Sequence, residues 1–201
     1  MKLYSVIVLY KNPTTSKATI LKSAAELSSF SFFYRKNAGE FMEATGKIIA
    51  ERSAAPSRSS VRENEYMIHC YVRHDNLTGI CITDEEYQQR VAFTLLNKAL
   101  QDFADKIPSE QWPRIADTKD CKYERLPEWL AKWQNPSEAD ALTRVQDEVE
   151  ETKIVLHSTM QSVLERGEKL DDLIKASESL SDQSKMFYTQ ARKMNKCCNW
   201  A

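Results

Sequence analysis

An unbroken heptad seam occupies the last third of the chain. Steps of three and four residues give Leu142, Val145, Val149, Thr152, Leu156, Thr159, Val163 and Arg166, then Leu170, Leu173, Ser177, Leu180, Ser184, Phe187, Ala191 and Met194. A 3.5-residue period keeps one narrow stripe turned toward a partner, so the sequence predicts a long helix that buries this stripe against other helices. Such a helix would reach about 80 Å, and with its stripe in water it would not hold alone. Thr152, Thr159, Ser177, Ser184 and Ala191 are small or hydroxylated. They argue against a permanent two-stranded zipper and for a bundle of unlike helices that can be taken apart.

Arg166 is the charged residue at the middle of this stripe. Its guanidinium cannot lose its charge, and it presents several donors in a rigid fork. Enclosed without acceptors it would be strongly destabilising. Side-chain carbonyls on neighbouring helices remove most of that cost, and glutamine fits by length and by neutrality. A slipped register would set the charge against an apolar layer, so Arg166 fixes register and partner identity more than it adds affinity. A phasing that left Arg166 in solvent would also expose Leu156, Val163, Leu170 and Leu173. Gly167 beside it lowers isolated helix stability by about 1 kcal/mol relative to alanine.

The first half has different periods. Residues 3–10 read as a strand, Asn12-Pro13 as a turn and residues 18–24 as a returning strand. Asn37 and Glu40 resemble a capping box opening a helix with Phe41, Ala44, Thr45, Ile48 and Ile49 at helical spacing. Residues 53–60, rich in Ser, Ala and Pro, read as a mobile loop. Residues 66–73 and 77–83 form a hairpin about His74-Asp75-Asn76, and residues 85–107 an amphipathic helix with Val91, Leu95, Ala99 and Phe103 on one stripe. The order β-β-α-β-β-α implies an α+β domain, an antiparallel sheet with helices on both faces. The expected boundaries are 1–108 for this domain, 109–135 for a connector, 136–196 for the heptad helix and 197–201 for a tail. Trp112, Trp129 and Trp133 make the connector too apolar for a flexible linker, and Pro127 fits the first turn of a short helix there. Asn135-Pro136 supplies a cap and first position for the heptad helix.

Composition excludes several classes of function. A net charge of -1 gives no case for nucleic-acid binding. No run approaches the roughly 18 apolar residues of a membrane span, and the N-terminus does not read as a signal peptide. A cytosolic protein is expected, with its five cysteines as reduced thiols. His69, Cys70, His74 and Cys81 cluster in sequence, but neighbours on a strand face opposite sides, so strand and turn residues explain them better than a metal or thiol centre. With four glycines and no glycine-rich phosphate loop, neither catalysis nor a metal is expected, and no cofactor other than covalent lipid. The lipid reading comes from the tail. Lys185, Arg192, Lys193 and Lys196 are basic, and Cys198 stands fourth from the end, where C-a-a-X prenylation occurs; a final alanine suits farnesyl. Asn199 and Trp200 depart from the usual aliphatic pair. One lipid holds a protein only marginally, which makes Cys197 a natural palmitoyl site.

Val163-Leu164-Glu165-Arg166-Gly167-Glu168-Lys169-Leu170-Asp171 resembles the centre of an R-SNARE motif, with Arg166 at its ionic zero layer. Glu151-Thr152-Lys153-Ile154-Val155-Leu156-His157 and Ser184-Lys185-Met186-Phe187-Tyr188 extend the likeness. So do Ser28-Ser29-Phe30-Ser31-Phe32-Phe33 and Val91-Ala92-Phe93-Thr94-Leu95-Leu96-Asn97. Together they resemble the prenylated longin-domain R-SNAREs. That resemblance implies a profilin-like longin domain with a five-stranded sheet, followed by the long SNARE helix. It implies vesicle fusion with three glutamine-bearing SNARE helices as partners, and cycling between cytosol and the cytosolic face of Golgi, endoplasmic reticulum, endosomal or vacuolar membranes. It also implies a soluble form whose longin domain folds over the SNARE segment and shelters the lipid. Because a bare seam and prenyl group would be a large apolar patch, such a form is physically reasonable, with Phe41, Ala44 and Ile48 as candidate contacts. The rival reading is a lipid-anchored coiled-coil tether or scaffold, which would self-associate where an R-SNARE prefers a heteromeric bundle.

Overall fold

Alternating apolar residues in the first 84 positions build an antiparallel sheet, and the computed structural model describes residues 1–135 and 153–197 of the chain. Its strands are β1 (Leu3–Lys11), β2 (Ala18–Ala25), β3 (Ser57–Glu63), β4 (Tyr66–Val72) and β5 (Leu77–Asp84). A short sixth strand, β6 (Ile154–His157), joins from the heptad region, giving the order β2-β1-β5-β4-β3-β6. Helix α1 (Arg35–Arg52) covers one face and α2 (Gln89–Lys106) the other. The pleat sorts side chains between them: Ile7 and Leu9 pack on the α1 side, Val6 and Val8 on the α2 side. The stripe Val91, Leu95, Ala99 and Phe103 is buried as its spacing requires. Gly46 lets α1 lie close to the sheet, since a Cβ there would stand 3.2 Å from Ile7 Cδ1.

The loop expected over residues 53–60 is in part a strand. β3 pairs with β4 along its whole length, from Ser57 opposite Val72 to Glu63 opposite Tyr66. Ser59, Ser60 and Arg58 are buried in spite of their polarity, because β6 covers the edge that would otherwise face water.

The domain also runs past residue 108. A 3-10 turn (Ser109–Arg114) and helix α3 (Leu126–Lys132) lie against the α2 side of the core, and Trp112 and Trp133 are almost fully enclosed. Trp112 Nε1 donates to the Ile107 carbonyl at 2.9 Å, Tyr87 Oη to the Trp133 carbonyl at 2.8 Å, and Tyr123 Oη to Asp102 at 2.7 Å. The connector is therefore the third side of the core and not a spacer.

The expected capping box is absent. The N-cap of α1 is Tyr34, with no side-chain hydrogen bond, while Asn37 lies inside the helix. Asn37 and Glu40 hold the C-terminal segment instead.

Candidate functional site

The continuous helix expected over 136–196 is not what the described part of that stretch forms. From Lys153 onward the chain breaks into β6, a 3-10 turn (Met160–Val163), helix α4 (Leu170–Ala176) and helix α5 (Asp182–Cys197). Leu142, Val145, Val149, Thr152 and Cys198 lie outside the described residues, and for Ala191, Met194 and Cys197 only the course of the α5 backbone is described.

Each piece has a local cause. Ile154, Val155 and Leu156 are apolar, the first two β-branched, and the edge of β3 offers unpaired backbone groups. β6 pairs with β3 in parallel, Arg58 opposite Ile154 through Val61 opposite His157. Thr159 and Ser162 form a capping box that starts the 3-10 turn. That turn drives Met160 into the cluster under α1, and Met160 N donates to Glu63 at 2.8 Å. Gly167 sits at φ +92°, a left-handed conformation that ends any helix passing Arg166.

Helices α4 and α5 then lie along the outer face of α1. Ile174 and Leu180 are buried with Ala44, and Phe41 and Ile48 pack on the same cluster. The Phe41 ring stacks on Tyr188 at 5.3 Å, and Tyr34 lies 4.9 Å from Phe187. Polar contacts pin this layer. Glu40 accepts from Ser181 N at 3.0 Å, Ser181 Oγ at 2.7 Å and Ser184 Oγ at 2.7 Å; Ser184 Oγ is also 3.2 Å from Asn37 Oδ1. Burial alone would raise the Glu40 pKa, but these donors outweigh it and hold the carboxyl below its ordinary range. Arg52 forks onto Glu168 with bonds of 3.0 and 2.5 Å, which lowers the Glu168 pKa and raises that of Arg52.

The seam is dismantled in this arrangement. Leu180 and Ser184 are buried, Val163, Leu170, Leu173, Ser177 and Phe187 are half-buried, and Leu156, Thr159 and Arg166 are exposed. Residues off the seam do much of the packing, Met160 and Ile174 above all. Heptad reasoning had no means of finding those two, nor the pair Arg52 and Glu168, which are remote in sequence. Between this layer and the sheet lies a groove of about 610 Å³, lined by Phe30, Phe41, Met42, Ile68, Leu170 and Tyr188 among others.

The pleat splits the strand cluster: His69 and Cys81 face the α2 side and Cys70 the α1 side. His69 is buried, its Nδ1 2.7 Å from Ser60 Oγ, and burial pulls its pKa down to about 4. Burial pushes the Cys70 thiol up to about 12 and raises Cys81 as well, so neither is a ready nucleophile. Among the described residues no group of His, Cys, Asp and Glu could hold a metal ion.

A family described as Longin, a regulated-SNARE-like domain, matches residues 27–125, and the Synaptobrevin family matches residues 141–201. The chain is similar to the synaptobrevin homolog YKT6 of Eremothecium gossypii, at 49% identity over 98% of both chains. It is 48% identical to that of Schizosaccharomyces pombe over 98% of both, and 46% identical to that of Saccharomyces cerevisiae over 90% of this chain and 92% of the relative. The chain is a longin-domain R-SNARE. It therefore functions as an R-SNARE in vesicle fusion, assembling with other SNAREs. No helix among the described residues is long and apolar enough to cross a membrane.

Proposed function

We propose that this R-SNARE is non-catalytic, that it is held closed by its own longin domain, and that it opens to enter a bundle with three glutamine-bearing SNARE helices from other proteins. The observation that carries the reading is the state of the seam: Arg166 is exposed at a left-handed break, while α4 and α5 lie along α1 through Phe41, Ala44 and Ile48. One segment cannot lie broken along α1 and run as a single helix through a bundle at once, so closing and assembly exclude each other.

In the bundle Arg166 is the zero-layer residue, its guanidinium shared among three glutamine carbonyls. Leu142, Val145, Val149, Thr152, Leu156, Thr159 and Val163 stack on one side of it. Leu170, Leu173, Ser177, Leu180, Ser184, Phe187, Ala191 and Met194 stack on the other. Farnesyl on Cys198 and palmitoyl on Cys197 attach the chain to the cytosolic face of Golgi, endoplasmic reticulum, endosomal or vacuolar membranes. The apolar groove beside Phe41 has room for such a chain in the closed form, its size being ordinary for a site that buries a small apolar ligand.

The test combines the full chain with three glutamine SNARE helices and follows complex formation by native electrophoresis and thermal melting. The parent forms one heteromeric complex, and Arg166→Leu loses stability, register or choice of partner. If assembly, alignment and selection all survive that change, the zero-layer role is wrong. Mass spectrometry of the mature C-terminus checks the lipids separately.

A further inference from the structure

Phe32 and Phe33 are the most exposed large apolar side chains among the described residues, at 75% and 81%. They occupy the 3-10 turn Phe32–Tyr34 that leads into α1, with their rings edge to face at 6.0 Å. The turn is braced from inside. Arg35 donates to the Phe30 and Ser28 carbonyls at 3.2 Å each, and its guanidinium stands 5.9 Å from the centre of the Phe32 ring. Tyr34 is tied to α5 through Phe187. Two rings are thus held outward on a firm, convex support.

Two cations flank them on the solvent side, although Glu26 and Glu40 nearby keep their own charge. Arg35 flanks the rings, and the Lys36 side chain is 77% exposed. The nearby acids are engaged: Glu26 accepts from Ser28 N, and Glu40, 3.8 Å from Lys36, accepts from Ser181 and Ser184. The direction of α5 adds a further constraint. Its approach places Leu180 at Ala44, then Ser184 at Asn37, then Phe187 at Tyr34, so the helix descends α1 toward the phenylalanine turn and passes it. From Phe187 to Cys197 it continues for about 15 Å. That stretch carries Arg192, Lys193 and Lys196.

We propose that the turn Phe32–Tyr34 is a membrane wedge, its two rings entering the interfacial layer of an anionic bilayer while Arg35 and Lys36 meet the phosphates. Protein partners with stable interfaces cover on the order of 800 Å² per side and need a complementary shape. Two rings on a convex turn offer neither, whereas a bilayer accepts any apolar point with a cationic rim. The backbone of α5 runs past this same end of α1 as far as Cys197, so the basic residues it carries lie toward the surface that the wedge would address. The wedge is a property of the longin domain and goes beyond the lipid-anchor reading, on which it does not rest.

The full chain carrying Cys197→Ser and Cys198→Ser tests this with no tail lipid present. Its co-sedimentation is compared on vesicles of phosphatidylcholine alone and of phosphatidylcholine with about a quarter phosphatidylserine. The expected result is partitioning onto the anionic vesicles that weakens with salt. Phe32→Ser/Phe33→Ser reduces it by about tenfold or more, and Lys36→Glu reduces it less. Both rings are exposed, so the double variant keeps its circular dichroism and melting transition. Absence of vesicle binding by the parent, or equal binding by the double variant, overturns the proposal. Unchanged vesicle binding together with lost self-association or lost binding of a protein assigns the turn to a protein partner, and overturns it equally.

Discussion

Three polar side chains of α1 pin the C-terminal segment beside the apolar contacts. Glu40 accepts from Ser181 and Ser184 and Asn37 accepts from Ser184, while Arg52 donates to Glu168. Ser184 is buried, so Ser184→Ala removes its hydrogen bonds at a cost to the closed form of about 1 kcal/mol. Ser184→Glu is far worse, since it sets a second carboxylate against Glu40 in a water-poor site, which costs about 3 kcal/mol or more. Small-angle scattering should show a larger radius of gyration for Ser184→Glu and little change for Ser184→Ala. A phosphate on Ser181 or Ser184 would act in the same sense. The acids also set a pH window. Glu40 and Glu168 both have pKa values below the ordinary 4.5 in the closed form. A depressed carboxylate stabilises the form that depresses it above its free pKa, and that stabilisation fades as pH falls through the lowered value. The closed form is therefore expected to hold at neutral pH and to loosen below about 4.5, with hydrogen exchange in α4 as the readout.

At the scale of elements, one sequence supports two secondary structures. Residues 154–157 fit a heptad, yet here they make β6, because Ile154 and Val155 also suit a pleated edge and β3 is free to take them. Gly167 separates the two outcomes. A long helix tolerates it at about 1 kcal/mol relative to alanine, whereas at φ +92° it is the residue with the least strain. A Cβ there would meet nothing within 4 Å, so Gly167→Ala acts through the backbone alone. Its strain in the closed form and its gain in the helix add to a shift of about 2 kcal/mol toward opening. Far-ultraviolet circular dichroism should register more helix, and β3 amides should lose exchange protection. The same duality limits what could be read in advance. The apolar run of β1, the alternation of β4 and the stripe of α2 were legible because their own residues carry the signal. β3 was not: Val61 is its only aliphatic residue, and Arg58, Ser59 and Ser60 are buried by a strand nearly a hundred residues away. The Asn37 and Glu40 spacing matched a cap for the wrong reason, since its acceptors serve Ser181 and Ser184.

For the whole molecule, closing and bundle entry compete for one segment but do not use one face. The heptad pattern places Leu170, Leu173, Leu180 and Phe187 on the seam, while the closed form leans most on Ile174 and Met160. The two equilibria can therefore be separated by mutation. Ile174 is fully buried against Ala44 and lies one position beyond Leu173, off the seam. Ile174→Ala should destabilise the closed form by about 2–4 kcal/mol, the range for truncating a buried aliphatic residue. Its effect on the finished bundle should be small. Leu180→Ala truncates a residue needed in both states, so its opening effect should be offset by a weaker bundle. Apparent affinity for the glutamine SNAREs equals intrinsic affinity scaled by the open fraction. If the parent is mostly closed, Ile174→Ala raises assembly rate and apparent affinity by about tenfold or more and leaves the melting temperature of the complex unchanged. Leu180→Ala lowers that melting temperature. A complex with Ile174→Ala that melts like the one with Leu180→Ala would mean that position 174 lies in the bundle core, and that the heptad phase drawn through Arg166 is misplaced.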